Sequence, residues 1–109
     1  MYWYKIVDKD PQGNFKALFH GVDGSRVLPV GKWLKSKQGY VTDGSKGTPY
    51  LSGWHIMMNL DECQEYLSRF TVPGRVIVEV DVKGKIWPKE HSPSNVHLSE
   101  YIKITREIE

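Results

Sequence analysis

The sequence predicts an α+β fold, a small and mostly antiparallel β-sheet carrying one main α-helix at about residues 60–70. Three observations predict it. Residues 75–82 alternate strictly, Val76, Val78, Val80 and Val82 on one side and Ile77, Glu79 and Asp81 on the other, which is the period of a half-buried strand. Leu60, Cys63, Leu67 and Phe70 recur at three- and four-residue spacing, the period of an amphipathic helix. The chain has no run of strand–helix–strand units, so segregated α+β is preferred to a doubly wound parallel sheet.

The elements follow in order. Tyr2, Trp3, Tyr4, Ile6 and Val7 form an aromatic and β-branched run, and turn formers Asp10, Pro11, Gly13 and Asn14 separate it from a second apolar run at 15–20. A β-hairpin is expected there. Between Gly21 and Gly53 the pattern weakens to two short extended candidates, 26–30 and 32–35. The polar, glycine-rich residues 36–48 read as a long surface loop, which a compact domain seldom keeps without a use. Asn59 caps the helix with Glu62 at its third position, Asp61 and Glu62 favour its positive end and Arg69 its negative one, and Pro73 with Gly74 stops it. After the alternating strand, Gly84 permits a turn into Lys85, Ile86 and Trp87. Pro88 and Pro93 bracket a polar loop, and residues 95–104 close the sheet.

With 109 residues the chain has room for one domain, 1–109, and none for a second core. Fifteen Lys and Arg against thirteen Asp and Glu give a net charge of +2, too mild to announce nucleic acid, which is not expected as a partner. The single cysteine, Cys63, has no intramolecular disulfide partner and lies in the helix stripe, where packing is the usual use of a free thiol. No leader-like or long apolar stretch is present, so a cytoplasmic setting away from membranes is expected.

Four histidines invite a metal reading, but His20, His55, His91 and His97 show neither HExxH nor paired Cys/His spacing, and no metal is expected. Glycine-rich phosphate loops of the GxxxxGK[ST] and GxGxxG types are absent as well. His20, His55 and Glu100 each interrupt an apolar, strand-like stretch, where an unsatisfied buried polar group costs about 1–3 kcal/mol. Such residues have ordinary explanations too: a strand-end histidine bonded to backbone, or a solvated edge carboxylate.

The order of these three residues resembles the ADP-ribosyltransferase superfamily of the poly(ADP-ribose) polymerase and RNA 2′-phosphotransferase type. Phe19, His20 and Gly21 match its first motif, Gly53, Trp54 and His55 ahead of the helix its second, and Ser99, Glu100, Tyr101 and Ile102 its third. The strand 78–84 after the helix is similar to that group's as well. The resemblance implies that NAD or a related nucleotide is bound, with NAD as substrate. His20, Gly21, Trp54 and His55 would form the cofactor-binding set, Glu100 and His55 the catalytic one. His20 would bond the adenosine ribose, His55 would replace the tyrosine that stacks on nicotinamide, and Glu100 would stabilise the oxocarbenium charge that develops as nicotinamide leaves. The family's helix after the first motif has no counterpart in the glycine-rich 22–53 region, so loss of catalysis with retention of the shape is part of the expectation. A second reading is a small non-catalytic protein-binding module, an inhibitor or accessory protein of phage or mobile-element type, using the 36–48 loop.

Overall fold

Short-range chemistry accounts for the first hairpin. The computed structural model describes residues 2–17, 27–36, 40–41, 50–51, 53–69, 73–89 and 96–108. Strand β1 (Trp3–Lys9) pairs antiparallel with β2 (Phe15–Lys16), Asp8 opposite Lys16 and Lys9 opposite Phe15. Asp10 builds the turn: its Oδ1 accepts from the backbone N–H of Gln12 at 3.0 Å and of Asn14 at 2.9 Å. The Asn14 N–H, aided by that of Gln12 and by Lys16, holds the Asp10 carboxyl below the usual carboxylate range, against a smaller opposing effect of desolvation. Gly13, with φ at +89°, supplies the left-handed residue the turn requires.

The remaining elements are β3 (Leu34–Lys35), β4 (Tyr40–Val41), β5 (Tyr50–Leu51), β6 (Trp54–Met57), α1 (Leu60–Ser68), β7 (Arg75–Pro88) and β8 (Val96–Ile108). β7 and β8 form a long antiparallel ribbon. The first half of β7 also pairs with β1, from Trp3 opposite Val80 to Asp8 opposite Arg75. The start of β8 pairs with β6, Trp54 opposite Ser99 and Met57 opposite Val96. Tyr4 opposite Met57 then joins β1 to β6, so β1, β6, β8 and β7 make a closed cycle of antiparallel neighbours. β3 adds to β8 through Leu34 and Ile102, while among the described residues β4 and β5 pair with each other and with no other strand. A mostly antiparallel six-strand sheet with one short helix is the α+β fold that the sequence predicts.

Two apolar clusters hold it. Trp3, Val7, Trp54, Ile56, Val78, Val80, Ile102 and Ile104 belong to the larger one. The smaller one joins Ile6, Met57, Ile77 and Val96 to Cys63 of α1, with Leu60, Tyr66 and Leu67 packed against it. Each such side chain contributes about 1.5–3 kcal/mol by leaving water. The helix starts where the sequence places it, Asn59 Oδ1 accepting from the Glu62 N–H at 3.0 Å. Tyr66 adds to the expected stripe, and Phe70 lies outside the described residues.

Several local expectations are corrected. β7 is not half-buried in its first half: Ile77, Val78, Glu79 and Val80 are all buried, because the larger core covers one face and α1 with its cluster covers the Ile77 face. Glu79 is tolerated there because Arg106 Nη2 donates to its carboxylate at 3.1 Å and Thr105 Oγ1 approaches at 3.4 Å. Gly84 makes a β-bulge and not a turn. Its φ is +77°, Lys83 faces Tyr101 and Ile86 faces Ser99, so Gly84 and Lys85 together oppose Glu100 while the strand continues to Pro88. The closing strand runs on to Ile108 rather than ending at 104. The expected 36–48 loop contains β4, and Ser36 at its start is buried, its N–H donating to Glu100 O at 2.8 Å. The rest of that loop, like 18–26, lies outside the described residues.

Candidate functional site

Gly53 opens the segment that leads through β6 into the helix. A Cβ there would stand 3.0 Å from Trp87 Cζ2, 3.1 Å from Leu98 Cβ and 3.1 Å from Ser99 O, closer than ordinary contact, so glycine suits the close approach of these strands. Trp54 follows with its indole turned into the larger core, 6% exposed, and Nε1–H donating to Leu34 O at 2.9 Å. That bond ties β3 to β6 across β8.

His55 is held on two sides by lysines. Its carbonyl accepts from Lys5 Nζ at 3.1 Å, and its ring Nε2 lies 3.0 Å from Lys89 Nζ. A charged ammonium can only donate, so against it Nε2 accepts and the ring hydrogen sits on Nδ1. Lys89 is itself positioned by its N–H, which donates to Val96 O at 3.0 Å just past β7.

Glu100 lies two residues beyond Leu98, the residue of β8 that faces His55. It is half-buried, and its Oε1 accepts from the Lys85 N–H at 3.3 Å across the Gly84 bulge. Thus His55 and Glu100 sit on neighbouring strands and both reach residues of the 85–89 segment. Trp87 opposes Leu98 from the other side, giving a row of His55, Leu98 and Trp87 across three strands. The Trp87 indole N–H is buried without a hydrogen-bond partner among the described residues, and so is His97 Nδ1, whose ring meets Trp3 edge-on at 5.4 Å. His20 and Gly21, the remaining members of the sequence-predicted site, lie outside the described residues, as does His91.

Lys5 is the functional-looking residue that the sequence reading passes over. It alternates with buried Trp3 and Val7 and faces Val78, so its stem points toward the core while the ammonium finds His55 O and the Trp54 ring, 5.6 Å from the centroid. The residue retains some exposure, yet its ammonium is surrounded by protein. Burial lowers its pKa to about 8, with the Cys63 thiol pulling weakly the other way. Burial likewise pushes Cys63 up to about 11, Lys5 opposing. The signal was a lysine at an inward position of an alternating strand, legible once the direction of alternation is set by Trp3 and Val7.

Chemically the region offers a lysine amine whose pKa is lowered to about 8, an imidazole with a directed tautomer, and a carboxylate held by a backbone N–H. Among the described residues no group of three or more His, Cys, Asp or Glu side chains is arranged to hold a metal ion, and no helix is long and apolar enough to cross a membrane. No family model, curated protein or solved structure matches the chain.

Proposed function

We propose that this chain is an ADP-ribosyltransferase-like domain that binds NAD or a related nucleotide where β6, β8 and the 85–89 segment meet. The observation that carries the reading is the β6–β8 pairing: His55, on the strand that runs into the capped helix, stands opposite Leu98, two residues before Glu100 on the last strand. Lys89 beside the His55 ring supplies positive charge suited to a pyrophosphate. Glu100 supplies the fixed negative charge that stabilises an oxocarbenium-like transition state over its ground state.

A second reading, a non-catalytic module that works by protein contact, is favoured by Trp87 and Leu98. Leu98 has no exposed surface and Trp87 is pressed against Gly53, so both occupy the row between the imidazole and the bulge. Thermal unfolding with NAD, ADP-ribose or nicotinamide at millimolar concentration separates the two. A ligand at a hundredfold excess over its Kd stabilises by about 2.7 kcal/mol, a rise in Tm of roughly 10 °C for a domain of this size. Unchanged melting with all three ligands overturns the nucleotide reading and leaves the contact module. Where NAD raises Tm, nicotinamide release measured for the chain and for Glu100→Gln distinguishes a transferase from a domain that only binds.

A further inference from the structure

Outside the His55 region, β3, β8 and the second half of β7 share a surface on which rings and ammonium groups alternate. Tyr101 faces Lys35 across β3 and Lys83 across β7, and Lys103, two residues along β8, faces Asp81. Trp33 directly precedes β3 and completes the set. Lys83 Nζ stands 4.4 Å from the Trp33 centroid and 5.0 Å from that of Tyr101; Lys103 Nζ is 4.9 Å from Trp33, and Lys35 Nζ is 5.9 Å from Tyr101. Trp33 remains 39% exposed, and Lys35 and Lys83 are exposed.

What holds these lysines decides what they attract. A carboxylate partner would fix an ammonium and cancel its charge, whereas a ring face fixes it and leaves the charge in place. Among the described residues Lys35 and Lys83 have no carboxylate partner, and Lys103 has only Asp81, at 3.9 Å and with its side chain 56% exposed. Three ammonium groups are thus gathered, ordered and largely unneutralised, in a chain whose total charge is only +2. Lys32 and Lys85 are exposed nearby in sequence.

We infer that this Trp33, Tyr101, Lys35, Lys83 and Lys103 surface binds single-stranded nucleic acid. The ligand that suits alternating rings and cations carries repeated negative charge with flat, unstacked π faces between the charges, and the phosphates and bases of a single strand are that combination. A duplex keeps its bases stacked on one another, and an acidic peptide brings charge without rings. The overall charge hides such a surface because its members come from positions 33, 35, 83, 101 and 103, adjacent only after folding. None of His55, Glu100 or Lys5 takes part, so the surface stands or falls apart from the nucleotide site.

The test is fluorescence anisotropy with a labelled oligothymidylate of about fifteen nucleotides, within the range single-strand sites span. Binding is expected at about 50 mM salt, weakening about 20-fold by 200 mM, as the release of counterions from three phosphates requires. Trp33→Ala should weaken it about tenfold or more through lost stacking, with the melting curve retained. Lys35→Glu with Lys83→Glu, both at exposed positions, should abolish it and serves as the second reading if Trp33→Ala loses its fold. Millimolar NAD should leave it unchanged. No binding at low salt overturns the inference. So does full affinity in the Trp33→Ala protein, displacement by NAD, or equal competition from polyglutamate, the last pointing instead to an acidic protein partner.

Discussion

The two halves of the β7–β8 ribbon share one backbone ladder and differ in nearly everything else. From Ile77 to Val80 every residue of β7 is buried, whereas Lys83 to Ile86 are all exposed. The first half has β1 on its free edge, the larger core on one face and α1 on the other. The second half has β8 alone for a neighbour among the described residues, and it begins with a bulge. Alternation in the sequence therefore describes a strand, but its neighbours decide how much of it is buried. Every candidate for recognition gathers by the less covered half: Glu100 at the bulge, His55 through Lys89, and the ring and ammonium surface through Lys83.

The largest effect expected tests that contrast directly. Ile104 is wholly buried opposite Val80, so Ile104→Ala should lower unfolding free energy by about 2–5 kcal/mol, a large part of what a small domain has. Ile86→Ala, at a residue 40% exposed, should cost about 0.5 kcal/mol or less. Urea unfolding of both measures it, and similar losses would dissolve the distinction between the halves.

Next in size is Lys5, the charged residue on the buried half's flank. Its folded pKa of about 8 lies below the model-peptide value of 10.5. The unfolded chain therefore binds more protons across that window, and stability rises with pH between about 8 and 10.5. At neutral pH the full penalty is present, about 3 kcal/mol at about 1.4 kcal/mol per pKa unit. Cys63 acts oppositely: its pKa is raised from 9.0 to about 11, so it contributes stability that is lost across that interval. The rise should thus be visible mainly from pH 8 to 9. Lys5→Met should remove it and raise stability at pH 7 by about 1–3 kcal/mol. A loss of stability instead would show that the bond to His55 O outweighs the cost of burying the amine.

Gly84→Ala should cost about 1–2 kcal/mol, since its φ of +77° is unfavourable for a side chain and an added carbon would collide with the Glu100 carboxylate and stand 3.1 Å from Tyr101 Cδ2. Thermal unfolding reads the cost. The same variant distinguishes bulge from turn, because a plain turn at this position would leave Glu100 undisturbed.

The fold was legible wherever its cause is local. Val76 to Val82 alternate, Asn59 and Glu62 stand three apart, and Asp10 precedes Gly13 and Asn14, and each produces the expected element. The bulge at Gly84 read as a turn because both need a left-handed glycine. β3, β4 and β5 have two residues each, too few to show a period, and the closure of β1 onto β6 rests on the single opposition of Tyr4 and Met57. Of the site, His55 and Glu100 stood out as polar residues among apolar ones. Lys89 did not, since its place depends on β7 continuing past Gly84, and the partners of Trp33 come from distant strands.

The smallest stability effect is the one that bears most on function. Glu100 meets the Lys85 N–H through one oxygen, and a glutamine amide oxygen accepts the same bond. Glu100→Gln should therefore change unfolding free energy by about 0.5 kcal/mol or less, while Glu100→Ala, which removes the acceptor beside an exposed backbone N–H, should cost about 1 kcal/mol. If the carboxylate serves only the bulge, the glutamine variant will match the parent in every assay of ligand or turnover. If it serves a developing cation, charge is what matters and shape is not. The glutamine protein would then melt like the parent and lose about a hundredfold or more in nicotinamide release, a separation that a merely structural acid cannot produce.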